Sequence, residues 1–132
     1  MNPAAVTIAL PTANLRRAFE FYRKGLGLEL VAATSGDEMP EPVRFKLTDG
    51  AHLMLAPSAG FARVLGANQV APTGLSECVL GWTVPTLAEV DAVVARARAA
   101  GANAVVAPAA QPWGYAGSFQ DPDGHVWMVA MG

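Results

Sequence analysis

The sequence predicts an α+β fold built from two βαβββ modules. Three observations predict it: one segment occurs twice, two stretches repeat apolar residues at helical spacing, and alternating runs surround them. Asp49-Gly50-Ala51-His52-Leu53-Met54-Leu55-Ala56 is echoed by Asp123-Gly124-His125-Val126-Trp127-Met128-Val129-Ala130. Both copies read Asp-Gly, then alternating side chains, with Met four residues after the glycine. Upstream, Leu10-Pro11-Thr12 is echoed by Val84-Pro85-Thr86, and each precedes a helical pattern. Self-similarity of this kind marks a duplicated structural unit.

The elements follow in order. A first strand is expected at Val6–Leu10. The first helix starts at an N-cap, Asn14 or Thr12, whose side-chain oxygen can accept from an orphan backbone N–H. Leu15, Ala18, Phe19, Tyr22 and Leu26 recur at helical spacing, and Gly25 and Gly27 supply its stop. Strands are expected at Leu28–Ala33, Val43–Thr48 and His52–Leu55. The second helix begins at Thr86, with Glu89 completing a capping-box pattern. Leu87, Val90, Val93, Val94 and Ala97 line one face, and Gly101 ends it. Strands at Cys78–Val84, Ala104–Ala107, Tyr115–Gln120 and Val126–Ala130 fill the second half. Tight turns at Asp49-Gly50 and Asp123-Gly124 join the last two strands of each half, with glycine there accepting a positive φ. The expected organisation is a single domain over 1–132: module one at 1–57, a connector at 58–75 and module two at 76–132. Within the connector, Phe61–Leu65 suits one helical turn.

Composition bounds the function. The chain of 132 residues is 52% hydrophobic and 15% charged, far from the signature of disorder. Nine Lys+Arg and a net charge of −2 leave no basic stretch dense enough for a phosphate backbone, so nucleic acid is not expected as a partner. The charge-free stretch Ala99 to Gln120 is broken by Gly101, Pro108, Pro112, Gly114 and Gly117, so it reads as strand, loop, strand and not as a membrane span. The lone Cys78 allows no internal disulfide and no multi-thiolate zinc site. It has apolar neighbours and reads as an inert, buried thiol. With no secretory pattern before Arg16, a cytoplasmic location is expected.

The tail Pro112-Trp113-Gly114-Tyr115 … Phe119-Gln120-Asp121-Pro122-Asp123-Gly124-His125-Val126-Trp127 and the opening Asn14-Leu15 … Phe21-Tyr22 … Leu26-Gly27-Leu28 resemble the vicinal oxygen chelate superfamily. That superfamily includes glyoxalase I, bleomycin-resistance proteins and extradiol dioxygenases. The resemblance spans nearly the whole chain. It implies that the modules form a curved mixed sheet with a concave cleft, and that two copies pair as a homodimer. It also implies metal ligands, typically His, Glu or Gln, on the first and last strand of each module. In this chain those positions fall on Thr7 and Met54, and on Val79 (or Gly81, if the Pro-Thr pairs are aligned) and Met128. Thioethers, a hydroxyl and an aliphatic group or bare glycine are not ligands for hard or borderline cations. No metal and no cofactor are therefore expected.

Strand parity argues separately about what the faces do. Residues i and i+2 share a face. Val6, Ile8 and Leu10, Leu53 and Leu55, Leu80, Trp82 and Val84, and Trp127 and Val129 form bulky sets suited to packing against helices. The opposite sets are small or soft: Thr7 and Ala9, His52 and Met54, Gly81 and Thr83, Met128 and Ala130. Such a face either hosts an apolar small molecule or is covered by protein. Several polar and aromatic residues join it as candidates. Trp113 and Tyr115 either stack on a planar ligand or seal the sheet edge. His52 either faces the cleft or ends a hairpin in water. Arg44 and Lys46 either meet an acidic group of a ligand or guard an edge strand. Gln120, with Ser118, can orient a mostly apolar ligand. His125 reads as a turn residue. The acidic loop Asp37-Glu38-Met39-Pro40-Glu41-Pro42 reads most simply as a solvated turn; the resemblance implies the alternative, a lid over the cleft with Met39 against the ligand.

No nucleophile–base pair, phosphate loop or carboxylate pair stands at catalytic spacing, so no catalytic residue is assigned. The leading expectation is a metal-free, bleomycin-resistance-like protein that sequesters a hydrophobic or aromatic drug or natural product, as in antibiotic resistance. The alternatives are a glyoxalase-like lyase, isomerase or dioxygenase with an unconventional or absent metal site, and a ligand-free scaffold.

Overall fold

The computed structural model describes all 132 residues and separates into two compact units, Met1–Val70 and Ala71–Gly132. The first contains β1 (Val6–Thr12), α1 (Leu15–Glu20) continuing as a π-type turn (Phe21–Gly25), β2 (Glu29–Leu30), β3 (Val43–Thr48), β4 (Ala51–Pro57) and α2 (Ser58–Leu65). The second contains β5 (Val79–Val84), α3 (Leu87–Ala99), β6 (Asn103–Gln111), β7 (Gly114–Gln120) and β8 (Val126–Met131). Each unit has its own four-stranded sheet, ordered β1-β4-β3-β2 and β5-β8-β7-β6. In both, the first strand lies parallel to the last and the other pairs are antiparallel. The expected α+β repeat of βαβββ units is thus present, with the same strand order in each copy.

Local chemistry sets the helix starts. Asn14 caps α1, its Oδ1 accepting from Arg17 N at 3.0 Å, while Thr12 Oγ1 accepts from Asn14 N at 3.1 Å. Thr86 caps α3, accepting from Glu89 N and donating to Glu89 Oε2, both at 3.2 Å. Gly101, at φ 110°, ends α3 in a conformation that side chains resist.

Each core sits between a sheet and its helix. In the first unit Phe45 is flanked by Phe19 and Tyr22, with ring centroids 6.1 and 6.0 Å away. Leu53, Leu55, Val43 and Leu10 bury beside them. In the second, Val90, Val94 and Ala97 of α3 are buried, as are Phe119, Trp127 and Val129. Phe119 stacks on Trp127, and Trp82 meets Trp127 edge-on at 6.0 Å. The bulky parity sets therefore do pack on the helix side, apart from Val6 at the start of β1, which is 50% exposed.

Several expectations require correction. The strand expected at Leu28–Ala33 shrinks to Glu29–Leu30, because only Val31 N continues toward β3, donating to Arg44 O at 2.9 Å. The single turn expected at Phe61–Leu65 is a full helix from Ser58, whose hydroxyl donates to Thr12 O at 3.2 Å. The strand expected at Ala104–Ala107 runs on to Gln111. Pro108 is accommodated because β6 is an edge strand with register shifts, where a missing N–H leaves no central ladder broken. Of the two Asp-Gly turns, only the one at Gly124, with φ 92°, has glycine at positive φ; Gly50 does not, and the β3–β4 hairpin instead shows a register shift between Lys46 and Thr48. Cys78 is exposed and not buried, since β5 begins one residue later at a strand end that is itself open.

Candidate functional site

The candidate residues gather on the sheet faces turned away from α1 and α3. In the first unit the register places Thr7, His52, Lys46 and Glu29 in one cross-strand row, and Ala9, Met54 and Arg44 in the next. Their strand neighbours Leu53, Val43 and Phe45 are buried on the other side, so alternation fixes the direction of both rows. His52, Met54 and Arg44 are half-buried, whereas Thr7 and Lys46 are exposed. Lys46 Nζ pairs with Asp49 Oδ1 at 3.1 Å. This hydrogen bond, the Asp49 charge and then Glu29 hold the ammonium pKa above its usual value. Lys46 and Arg44 do not stand on a bare edge, because β3 has β4 on one side and β2 with Val31 on the other.

In the second unit, one row runs Val79, Val126, Gln120, Asn103 and the next runs Gly81, Met128, Ser118, Val106. A third joins Thr83, Ala130, Ala116 and Ala109. These rows contain no ionisable side chain. A Cβ built on Gly81 meets nothing within 4 Å, so the space over this position is open. The register also decides the alignment of the two modules. Met54 pairs with Ala9 and Met128 with Gly81, which makes Thr7 equivalent to Val79 and Ala9 equivalent to Gly81.

Two aromatic candidates lie apart from these rows. Trp113 sits in the two-residue β6–β7 turn and is 68% exposed. Tyr115 has the parity of Gly117 and Phe119 and therefore turns toward α3, where its hydroxyl donates to Asp91 Oδ1 at 2.6 Å. That hydrogen bond, with desolvation and the Asp91 charge, raises its pKa. Tyr115 is tied to the helix side, opposite Met128. The signal was present in the sequence, since Phe119 follows at an even spacing. His125 is part of a turn organised by Asp121, as its N–H donates to Asp121 Oδ1 at 2.9 Å.

The sequence model of the Glyoxalase/Bleomycin resistance protein/Dioxygenase superfamily matches residues 5–129. The chain belongs to this superfamily. Solved structures agree with the glyoxalase-type fold. A glyoxalase-related enzyme from Fulvimarina pelagi superposes with a TM-score of 0.81 at 24% identity, over 100% of this chain and 89% of that one. Lactoylglutathione lyase from Agrobacterium tumefaciens gives 0.68 at 26%, covering 99% and 96%. TnmS3, an antibiotic binding protein from Streptomyces sp. CB03234, gives 0.67 at 24%, covering 98% and 96%. No curated protein matches the chain.

Within a superfamily named partly for chelation, the donor set decides whether a metal fits. The four equivalent positions present Thr7 Oγ1, the Met54 and Met128 thioethers and the aliphatic Val79, with bare Gly81 one row further on. A neutral hydroxyl and two soft sulfurs do not suit zinc, nickel, iron or magnesium. No group of three or more His, Cys, Asp or Glu is placed to hold an ion instead. The residues present do not fit the glyoxalase-type metal. Among the helices, none is long and apolar enough to cross a membrane.

Proposed function

We propose that this superfamily member binds a hydrophobic or aromatic small molecule by contact, without a metal or other cofactor, and sequesters it. The observation that carries the reading is the pair of sheet faces where relatives' metal ligands would stand. On the first face Met54 is half-buried beside Ala9, and on the second Met128 is half-buried beside Gly81, Ser118 and Ala130. Small neighbours leave room, and a thioether adapts its three torsions and polarisable sulfur to an irregular or aromatic surface. Gln120 and Ser118 supply neutral polar contacts at the margin. Similarity to an antibiotic binding protein supports a drug or natural product as the occupant and a role in resistance. A cytoplasmic location is part of the same proposal.

The neutral fluorophore N-phenyl-1-naphthylamine tests this directly. It is expected to bind saturably, with emission rising as it leaves water. Gly81→Phe places a ring in the open space over β5 and is expected to weaken binding about tenfold or more, with the unfolding midpoint nearly unchanged. Unchanged affinity in that variant would remove the module-two face from the site.

The lyase reading is favoured by one observation, the 26% identity to a lactoylglutathione lyase. It needs an acid–base group, and His52 is the ionisable side chain nearest Met54 along its strand on the same face. Lactoylglutathione formation that disappears in His52→Ala would establish it over sequestration.

We also propose a homodimer. The edge strand β6 carries no charged residue, and Val105 and Val106 on it are about half exposed. An uncharged apolar edge of this length calls for a cover. Light scattering at micromolar concentration is expected to give twice the chain mass; a monomer there would contradict the pairing.

A further inference from the structure

We propose that Arg44 is an anion anchor, and that the preferred ligands of the module-one face are apolar or aromatic molecules carrying a carboxylate, sulfonate or phosphate. This inference rests on the small-molecule reading above and names the class of molecule bound.

Arg44 lies within β3, opposite Met54 on β4, and its carbonyl accepts from Val31 N at 2.9 Å. The residue is held from both sides, so its charge is not needed to guard an open edge. Its neighbours Val43 and Phe45 are buried against the core, which turns the guanidinium to the opposite face.

That face carries two cations with unequal partners. Lys46 and Arg44 are its two cations, and Lys46 is already matched by Asp49 at 3.1 Å with Glu29 across the ladder. Asp37, in the segment between β2 and β3, is paired with Lys24 at 3.3 Å. Arg44 is half-buried yet makes no ion pair or side-chain hydrogen bond within the chain. A partly desolvated cation without a partner is unfavourable until one arrives.

A guanidinium presents a planar fork of donors that matches two oxygens of a carboxylate or related oxyanion. Beside it stand Met54 and, one strand further, Ala9. An apolar frame resting on these residues would exclude water from the ion pair and strengthen it. One row therefore offers an oxyanion site joined to a soft apolar surface, which is the pattern of an amphiphilic organic acid.

Two fluorophores separate this inference from the reading beneath it. 8-Anilinonaphthalene-1-sulfonate and N-phenyl-1-naphthylamine share one aromatic frame and differ by a sulfonate. The wild-type protein is expected to bind the sulfonate about tenfold more tightly. Arg44→Met should bring the two affinities within about twofold by weakening the sulfonate alone, and Arg44→Lys should keep part of the preference. Lys24→Met, which removes an equal charge on the helix side, should keep all of it. A folded Arg44→Gln gives the same readout if the methionine variant does not fold. Equal affinities in the wild type, or an undiminished preference without Arg44, would overturn the anchor while leaving small-molecule binding in place. Absence of binding by either fluorophore would overturn the binding reading and this inference together.

Discussion

Phe45→Ala is expected to lower the unfolding free energy by about 3–5 kcal/mol, the range for removing a buried aromatic ring. Phe45 is fully buried and touches both aromatic anchors of the first helix, Phe19 and Tyr22. It also lies in register with Leu53 on one side and Leu30 on the other. Truncation would leave a cavity walled by three secondary-structure elements, and rigid strands on two sides prevent it from collapsing. The loss should appear as a lower denaturation midpoint with little change in slope. Phe45→Leu, which keeps most of the volume, should lose much less. A midpoint unmoved by alanine would mean that the first unit does not depend on this cluster.

The second large effect belongs to the turn before β8. Asp121 is 2% exposed, and its Oδ1 accepts from the backbone N–H groups of Asp123 and His125, both at 2.9 Å. Its own N–H donates to His125 O, and its carbonyl accepts from Gly124 N, again at 2.9 Å each. One side chain thus closes the turn that delivers Trp127 and Met128 to their strand. Asp121→Ala leaves two inward donors without an acceptor and is expected to cost about 2–4 kcal/mol. Asp121→Asn retains one acceptor oxygen and should recover part of this. Denaturant titration of the pair checks it; equal stability of the alanine variant and wild type would contradict the role.

Much of this architecture was readable in the residues. The doubled Asp-Gly-…-Met segment becomes β4 and β8, each lying parallel to the first strand of its unit. Alternation placed Leu53 inward and Met54 outward correctly, because a strand's period of two leaves no freedom once one face is buried. Thr86 with Glu89 marked the start of α3. Other features depend on pairings that sequence does not display. The shortness of β2 follows from where the chain leaves β3, and the exposure of Cys78 from where β5 begins. Tyr115 was legible in principle, since it opens the strand expected at Tyr115–Gln120 and shares the parity of Phe119; its partner Asp91, on α3, depends on packing that the sequence does not display. Arg44 and Lys46 look alike in sequence. Only the fold shows that Asp49 satisfies one and leaves the other.

The proposed function has this member of the superfamily recognise its ligand through apolar contact where metal-dependent relatives would place cation ligands. Equilibrium dialysis of the protein against nickel, zinc and ferrous ions, with metal counted per chain, tests it most directly. No stoichiometric uptake is expected at micromolar free metal, and none after Thr7→Ala or Met128→Leu. One ion retained per chain, and lost in those variants, would contradict it.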